Sequence, residues 1–349
     1  MSVTAAPTTT MGAAVVEAAE HSRRSIRKYR HVQQLTLVNS DFQSYRSIIR
    51  KHALTSAVFL ERSVADVRAR GCCQQQMKQL TRLYEGAGTS AFFAAARTHT
   101  RAEVLLKRLA GTLLHQFDAA ALVGTHDMHL LDTEMLAQLV GAAGAAPLPP
   151  GASLLDVGAG SGAITARIAP LFSKTTVMEK SWACAWRLQR SGFANVVRNA
   201  TLDALIAKGE LFDCVTMFNL LDRTTNPREM LCDAKALLRR CDGEGGGGIL
   251  LVALALPLEH FVVGSAGVAA LTEQLLPPER LASLPPRDGD VDAHWAATVE
   301  ALSVDLFAPL GLETVALART PYYCQGHKAD EFWTLDDAIF VLRAEDGGL

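Results

Sequence analysis

From residue 152 onward, short apolar runs alternate with amphipathic segments. Each run has the length and composition of a buried strand, and the segments between them repeat their apolar residues every three or four positions, as helices do. The predicted strands cover residues 154–157, 175–178, 195–198, 212–219 and 249–256, and the predicted helices cover residues 164–171, 182–191, 202–208 and 227–240. This alternation predicts an α/β domain built on a doubly wound, mostly parallel sheet.

After residue 256 the pattern changes. Residues 264–292 are rich in Pro, Gly and Ala and are predicted to form an insertion. A helix near residues 295–308 then precedes two final strands, 312–318 and 338–342, which a loop joins. Strands that follow one another without a crossover helix pair antiparallel. We therefore expect a seven-stranded sheet with an antiparallel C-terminal end.

The first part of the chain has a different composition. Residues 40–140 carry apolar residues at helical spacing and are predicted to form a helical region that caps the α/β domain. Residues 141–151 are rich in Gly, Ala and Pro and are predicted to form a linker. The α/β domain is therefore expected to cover residues 152–345. Residues 1–39 combine an Ala/Thr-rich start with a basic stretch, which fits either a disordered tail or an organelle-targeting segment.

A glycine-rich turn follows the first predicted strand. Gly158, Gly160 and Gly162 lack side chains, so a nucleotide-like ligand can approach the backbone N–H groups at the start of the next helix. Asp156 stands beside this turn, and Glu179 follows the second strand, where a carboxylate can bind both hydroxyls of a ribose. The pattern predicts a site for an adenosine-containing cofactor.

Two cofactors fit these residues. The turn satisfies the dinucleotide fingerprint Gly-x-Gly-x-x-Ala, with Ala163 in the last place, and equally the Asp-x-Gly-x-Gly-x-Gly turn of S-adenosylmethionine-dependent methyltransferases. The antiparallel end of the predicted sheet favours S-adenosylmethionine over a nicotinamide dinucleotide.

Composition and charge narrow the class of protein further. The 349-residue chain has a net charge of −2, which gives no indication of nucleic-acid binding. Its seven cysteines form no Cys-x-x-Cys motif, which favours reduced thiols and an intracellular, most simply cytoplasmic, protein. No apolar run is long enough to span a bilayer. His126 and His129 form a His-x-x-His pair without a third ligand, so no metal is predicted.

Polar residues also end the fourth predicted strand. Residues 213–223 deliver Asn219 and Asp222 at the carboxyl end of the sheet, where a transferred group would lie. Both residue types are also common helix caps, so a structural role is an alternative. The Pro-Pro-aromatic sequence of amino-methylating enzymes does not follow Asn219, which disfavours adenine or glutamine amide as the acceptor.

Five motifs, in this order, are similar to those of the methyltransferase-like protein 9 (DREV) family. They are Leu154-Leu-Asp-Val-Gly-Ala-Gly-Ser-Gly, Asn219-Leu-Leu-Asp-Arg223, Ala255-Leu-Pro257, Arg319-x-Pro-Tyr-x-Cys-x-Gly326 and Leu335-Asp-Asp-Ala-Ile-Phe-Val-Leu342. The similarity covers about residues 124–342. It implies a class I methyltransferase fold, S-adenosylmethionine as cofactor, and methylation of the N-pros ring nitrogen of histidine in His-x-His motifs of proteins.

The resemblance also implies roles for individual residues. The residues with implied catalytic roles are Asn219, Asp222 and Tyr322. Those implied to bind the cofactor are Asp156, Gly158, Gly160, Gly162, Glu179, Asn199 and Asn219. Those implied to bind the substrate are Arg223, Arg319, Tyr322 and Tyr323. In this interpretation Asp222 accepts a hydrogen bond from the far imidazole nitrogen. Ser161 and Gln325 stand where family members tend to carry an acid.

The residues leave alternatives to this interpretation. The partners implied are His-x-His proteins, with no nucleic acid, no membrane span and a monomeric chain. A methyltransferase acting on another protein side chain or on a small molecule has the same cofactor turn. A nicotinamide-dependent oxidoreductase and a non-catalytic, cofactor-binding scaffold are the other classes.

Overall fold

The computed structural model describes residues 80–81, 87–114, 116–124, 127–143, 148–240, 247–260, 262–264, 267–269, 271–286, 290–325 and 332–345. The predicted tail of residues 1–39 and most of the first half of the predicted helical region lie outside this part of the chain. No helix among the described residues has both the length and the apolar character needed to cross a membrane.

The described elements alternate as expected. The strands are β1 Leu80–Thr81, β2 Met128–His129, β3 Ser153–Val157, β4 Lys174–Met178, β5 Asn195–Val197, β6 Cys214–Phe218, β7 Ile249–Leu256, β8 Val262–Gly264, β9 Gly267–Ala269, β10 Leu312–Gln325 and β11 Phe332–Ala344. The α-helices are α1 Ala87–Ala95, α2 Arg101–Ala110, α3 Gln116–Val123, α4 Thr133–Ala142, α5 Ala163–Ile168, α6 Trp182–Arg190, α7 Asp203–Ala207, α8 Pro227–Ala236, α9 Pro278–Ser283 and α10 Val291–Ala301.

The main sheet confirms the predicted fold class. Its strand order is β1-β10-β11-β7-β6-β3-β4-β5, with β2 also pairing with β10. Strands β3 to β7 pair parallel with one another, whereas β11 pairs antiparallel with both β7 and β10. The seven predicted strands form the body of this sheet, and the short β1 and β2 extend its β10 edge. The strand order reverses between β3 and β6, which opens a crevice at their carboxyl ends.

Burial explains why the central parallel strands are mostly apolar. All residues of β3, β6 and β7 are buried, because helices cover both faces of the sheet. One face packs against α10 and the π-helical turn Leu302–Phe307 that follows it. The other face packs against α4. Each face thus has its own apolar core.

The helical N-terminal region contributes directly to the fold. Asp132 caps α4 by accepting a hydrogen bond from the Met135 N–H at 3.0 Å, and the apolar face of α4 is buried on the sheet. Helix α2, by contrast, buries none of its residues. The predicted linker overlaps the end of α4, and residues 144–147 lie outside the described residues.

The last two strands are longer than predicted. The segment that starts at Arg319 was expected to be part of the joining loop, but residues 319–325 continue β10 and pair with β11 as far as Phe332. This difference matters for function, because side chains along a strand alternate between the two faces of the sheet. The insertion predicted at 264–292 contains the hairpin of β8 and β9 and helix α9.

Candidate active site

A cavity of about 890 Å³ lies at the carboxyl ends of the parallel strands. This volume falls within the range of about 300–1,000 Å³ that is usual for cofactor and ligand sites. Eight of the predicted site residues line it: Asp156, Gly158, Gly160, Glu179, Asn199, Asn219, Arg223 and Tyr322. They come from five separate segments of the sequence, and the fold brings them to one crevice.

The glycine turn has a backbone that requires glycine. Gly158, Gly160 and Gly162 have φ angles of 78°, 57° and 82°, in the left-handed region that side chains disfavour. A Cβ atom at Gly158 would come within 2.8 Å of Leu220 Cδ1. A Cβ atom at Gly160 would have no neighbour within 4 Å, because this glycine faces the cavity. Gly162 does not line the cavity but packs tightly under the turn.

Glu179 connects the second strand to the glycine turn. Its Oε2 atom accepts a hydrogen bond from the Gly160 N–H at 3.0 Å, and its Oε1 atom accepts one from the Ser181 N–H at 2.8 Å. A carboxylate oxygen can accept more than one hydrogen bond. Glu179 is therefore fixed in place and retains capacity for two ribose hydroxyls.

Asp156 lines the cavity, but both of its carboxyl oxygens are already engaged by side-chain hydroxyls. It is buried, and its two oxygens accept hydrogen bonds from the hydroxyls of Thr165 and Thr216. Burial raises the pKa of the Asp156 carboxyl, and the two threonine hydroxyls oppose that rise. The residue thus joins β3 to α5 and β6. Cofactor contact by Asp156 stays a prediction.

Asn199 occupies the rim of the cavity next to β5. Its Oδ1 atom accepts a hydrogen bond from the N–H of Ala200 at 2.8 Å. The residue is partly exposed and lines the cavity. Its predicted contact with the cofactor stays a prediction.

Asn219 has an unusual backbone and a fixed side chain. Its φ angle of 52° makes it the one non-glycine residue with positive φ in the described part of the chain. Such strain is common at functional sites. The Nδ2 atom donates a hydrogen bond to Asp337 Oδ2 at 2.6 Å. Within the described residues, the buried Oδ1 atom has no hydrogen-bond partner.

Asp222 lies behind the cavity wall. It is 1% exposed and does not line the cavity, unlike its neighbour Arg223. Arg223 Nη1 lies 2.7 Å from Asp222 Oδ2 and also donates to the Glu259 carbonyl at 2.7 Å. Burial raises the pKa of the Asp222 carboxyl, and the Arg223 charge opposes that rise. The direct contact between Asp222 and a substrate stays a prediction.

Tyr322 is the residue of the β10 motif that reaches the cavity. It lines the same cavity as the glycine turn, and its hydroxyl contacts the Sδ atom of Met128, which also lines the cavity. The aromatic ring and hydroxyl thus form part of the wall on the antiparallel side of the sheet.

Arg319 and Tyr323 do not line the cavity, although the sequence predicted that both bind substrate. Both are odd-numbered positions of β10, so they point to the face opposite Tyr322. Arg319 is 4% exposed and pairs with Asp336 at 2.6 Å and Asp292 at 2.7 Å. Tyr323 packs in an aromatic cluster with residues of α1 and with Phe332. The loop that would have allowed both side chains to turn toward the cavity is a strand.

Arg319→Lys is expected to lower the free energy of unfolding by about 2 kcal/mol, because an ammonium cannot reproduce the forked contacts with Asp336 and Asp292. Denaturant titration measures this loss. The matched control is Arg239→Lys, whose pair with Asp213 is 49% exposed on the arginine side and should change stability by less than about 0.5 kcal/mol. Activity per folded molecule should stay unchanged in both variants. A raised KM for Arg319→Lys without a loss of stability would support the substrate-binding role that the resemblance implies for Arg319.

Several site residues are absent from the sequence prediction. Asp337, Thr165 and Thr216 hold predicted residues in place, and Met128 and Trp182 line the cavity. The sequence feature that could have identified Asp337 is the pair of carboxyl side chains, Asp336 and Asp337, within a mostly apolar strand. The described residues contain no group of three His, Cys, Asp or Glu side chains arranged to hold a metal. His129 instead accepts or donates a hydrogen bond with buried Thr89.

Comparison with known proteins decides which of the two cofactor classes this site belongs to. A family model described as DREV methyltransferase matches residues 70–344, which is most of the chain. The chain belongs to the DREV methyltransferase family. This DREV methyltransferase uses S-adenosylmethionine as its cofactor. The family match therefore includes helices α1 to α4, which precede the first parallel strand β3.

Solved structures show more distant similarity. The N-methyltransferase NodS from Bradyrhizobium japonicum, in complex with S-adenosyl-L-homocysteine, is 19% identical, with 55% of this chain and 78% of NodS covered and a TM-score of 0.31. An S-adenosylmethionine-dependent methyltransferase from Leishmania major is 12% identical, with 68% and 77% covered and a TM-score of 0.35. At these identities and TM-scores, the methyl acceptor of neither protein can be assigned to this chain.

The residues present fit S-adenosylmethionine. The open space at Gly160, which a Cβ atom would fill, lies next to the Glu179 carboxylate. Backbone N–H groups and a fixed carboxylate are the groups that an amino-acid moiety and a ribose require. When bound, S-adenosylmethionine supplies a methyl carbon that is activated by its positively charged sulfur.

Proposed function

We propose that this DREV methyltransferase methylates the N-pros nitrogen of histidine in His-x-His motifs of proteins. The observation that carries the proposal is the convergence of the family-like motifs on one cavity. Asn219 and Arg223 of one motif and Tyr322 of another lie on the same cavity as Gly160 and Glu179, although they are far apart in the sequence.

The chemistry required of the protein is mostly positioning. An imidazole has an ordinary pKa of about 6.5, so at neutral pH the acceptor ring is largely uncharged and needs no strong base. Holding two reacting atoms in line converts a bimolecular step into an effectively unimolecular one. A cavity wall of fixed side chains therefore suffices for catalysis.

Choosing between the two ring nitrogens requires a hydrogen-bond acceptor. A neutral imidazole carries one N–H, and the nitrogen without it has the lone pair that attacks. Asn219 lines the cavity and its Oδ1 atom has no hydrogen-bond partner among the described residues, so this oxygen can accept the far N–H and leave the N-pros nitrogen free. The Asp222 carboxylate, which pairs with the cavity-lining Arg223, would stabilise the positive charge that develops on the ring.

Arg223 and Tyr322 are suited to hold the peptide around the histidine. The guanidinium of Arg223 is anchored by Asp222 and the Glu259 carbonyl and borders the cavity, so a peptide carbonyl in the cavity could accept a hydrogen bond from it. The Tyr322 ring offers a flat surface for an imidazole. Both groups are held by other side chains before any substrate arrives.

A peptide spacing series tests this function. Peptides that contain His-Ala-His, His-Ala-Ala-His or a single histidine, with the rest of the sequence constant, are incubated with the protein and S-adenosylmethionine. Mass spectrometry is expected to show a gain of one methyl group for His-Ala-His at a rate at least about tenfold above the others, which corresponds to about 1.4 kcal/mol of discrimination. Equal rates for all three peptides would contradict the motif, and no methylation of any peptide would contradict the histidine acceptor.

A further inference from the structure

Asp337 is a fully buried carboxyl group at the centre of the antiparallel half of the sheet. It is 0% exposed and lies on β11 between Thr320 of β10 and Ala255 of β7. A charged side chain is rarely buried so completely without a specific partner. Its partner among the described residues is Asn219, which lies 118 positions earlier in the sequence.

The contact between the two side chains has a defined direction. The Asn219 Nδ2 group donates and the Asp337 Oδ2 atom accepts, at 2.6 Å, which is short for a hydrogen bond of this kind. A carboxyl Oδ2 atom can accept this bond whether or not the other oxygen carries a proton. The bond therefore draws the nitrogen end of the amide into the sheet.

The other end of the amide is buried on a residue that lines the cavity. The amide oxygen and nitrogen branch from the same Cγ atom, so fixing Nδ2 against Asp337 leaves Oδ1 as the end that another group can bind. Oδ1 is the end without a hydrogen-bond partner within the described part of the chain, and Asn219 borders the cavity.

We propose that Asp337 is a positioning residue that orients the Asn219 amide so that its oxygen, and not its nitrogen, faces the acceptor. This inference rests on the proposed function, in which an acceptor oxygen selects the N-pros nitrogen. A rotated amide would present N–H donors to the imidazole, which would favour the opposite tautomer and the other ring nitrogen. Asp337 itself does not line the cavity and acts only through Asn219.

The neighbouring carboxyl provides a matched control. Asp336 lies next to Asp337 on the same strand and is equally buried, at 2% exposure. It points to the other face of the sheet, where it pairs with Arg319. A variant at Asp336 therefore perturbs the same strand without touching Asn219.

The test compares Asp337→Leu and Asp337→Asn with Asp336→Asn. Leucine is larger than aspartate but has the same branching, suits the apolar residues on that face of β11 and removes the acceptor, while asparagine keeps one. For a His-Ala-His peptide, Asp337→Leu is expected to lower kcat about tenfold or more, the factor that one lost hydrogen bond of this strength gives. The share of N-pros product should fall together with kcat. Asp337→Asn should recover part of the lost kcat and part of the lost N-pros share, and KM should change little.

Two further readouts distinguish positioning from a general structural role. In an Asn219→Gly background, Asp337→Leu should have no additional effect on kcat, because the group through which it acts is absent. The side-chain amide signal of ¹⁵N-labelled Asn219 should shift in Asp337→Leu and stay in place in Asp336→Asn. This second readout needs no acceptor, so it decides the inference even if the wild-type protein methylates no histidine.

Two results would overturn the inference. One is an unchanged Asn219 amide signal in Asp337→Leu. The other is a loss of kcat that is the same with and without the Asn219 side chain, which would assign Asp337 to the stability of the sheet alone. Where Asp337→Leu fails to fold, Asp337→Asn provides the same amide signal and the same kinetic comparison.

Discussion

Asn219→Gly is expected to lower kcat about 100- to 1,000-fold for a His-Ala-His peptide, the cost usual for removing one oriented hydrogen-bond group from an active site. Glycine is the informative replacement, because it adopts the φ of 52° found at this position without strain. The backbone at the end of β6 should therefore keep its path. Product analysis should also show a mixture of the two methylhistidine isomers, since no acceptor selects the ring tautomer.

Two other variants are the controls for this result. Asn199→Gly removes an amide from the cofactor rim of the same cavity and should raise the Kd for the cofactor while kcat changes little. Asp222→Asn removes the charge behind the wall and should lower kcat but keep the N-pros selectivity. If Asp222→Asn loses the selectivity and Asn219→Gly keeps it, Asp222 is the direct acceptor, as the sequence prediction has it.

Glu179→Ala is expected to raise the Kd for S-adenosylmethionine by at least about 100-fold. Each hydrogen bond to a charged group contributes about 1.5–3 kcal/mol, and two ribose hydroxyls would lose their acceptor. The Gly160 N–H would also lose its partner, which loosens the turn beside the cavity. Isothermal titration calorimetry with the cofactor and with S-adenosylhomocysteine measures the change.

The control for this variant is Glu210→Ala. Glu210 is a glutamate that pairs with Lys174 at 3.7 Å and does not line the cavity. It should leave the Kd unchanged. Glu179→Gln keeps the shape and one acceptor oxygen, so its Kd should fall between those of the wild type and Glu179→Ala. A Glu179→Ala protein that binds the cofactor as tightly as the wild type would exclude Glu179 from the ribose site.

Much of the fold could be predicted because the parallel strands leave a strong local signal. A strand with both faces buried is mostly apolar, as β7 is over all eight of its residues, and this composition stands out from the amphipathic segments around it. The length of β10 could not be predicted in the same way. Arg319 and Pro321 look like loop residues in the sequence, and only the pairing of β10 with β11 and the buried partners of Arg319 make them part of a strand.

The candidate site could likewise be predicted only in part. Gly160, Glu179 and Asn219 follow predicted strands directly, so their meeting at one edge of the sheet follows from the topology. The contact between Asn219 and Asp337 joins residues 118 positions apart and depends on which face of β11 each residue occupies. A shift of one residue in that register would exchange Asp336 with Asp337. Sequence spacing alone does not fix such a register.

The identity of the methylated nitrogen is the most direct test of the proposed function. The wild-type protein is incubated with S-adenosylmethionine and a His-Ala-His peptide, the product is hydrolysed, and its methylhistidine is compared by chromatography and mass spectrometry with both isomer standards. We expect N-pros methylhistidine as the main isomer, because an oxygen acceptor on the cavity wall holds the far N–H. Methylation at the far nitrogen, or an equal mixture, would contradict both the selection of the tautomer by Asn219 and the function proposed for this cavity.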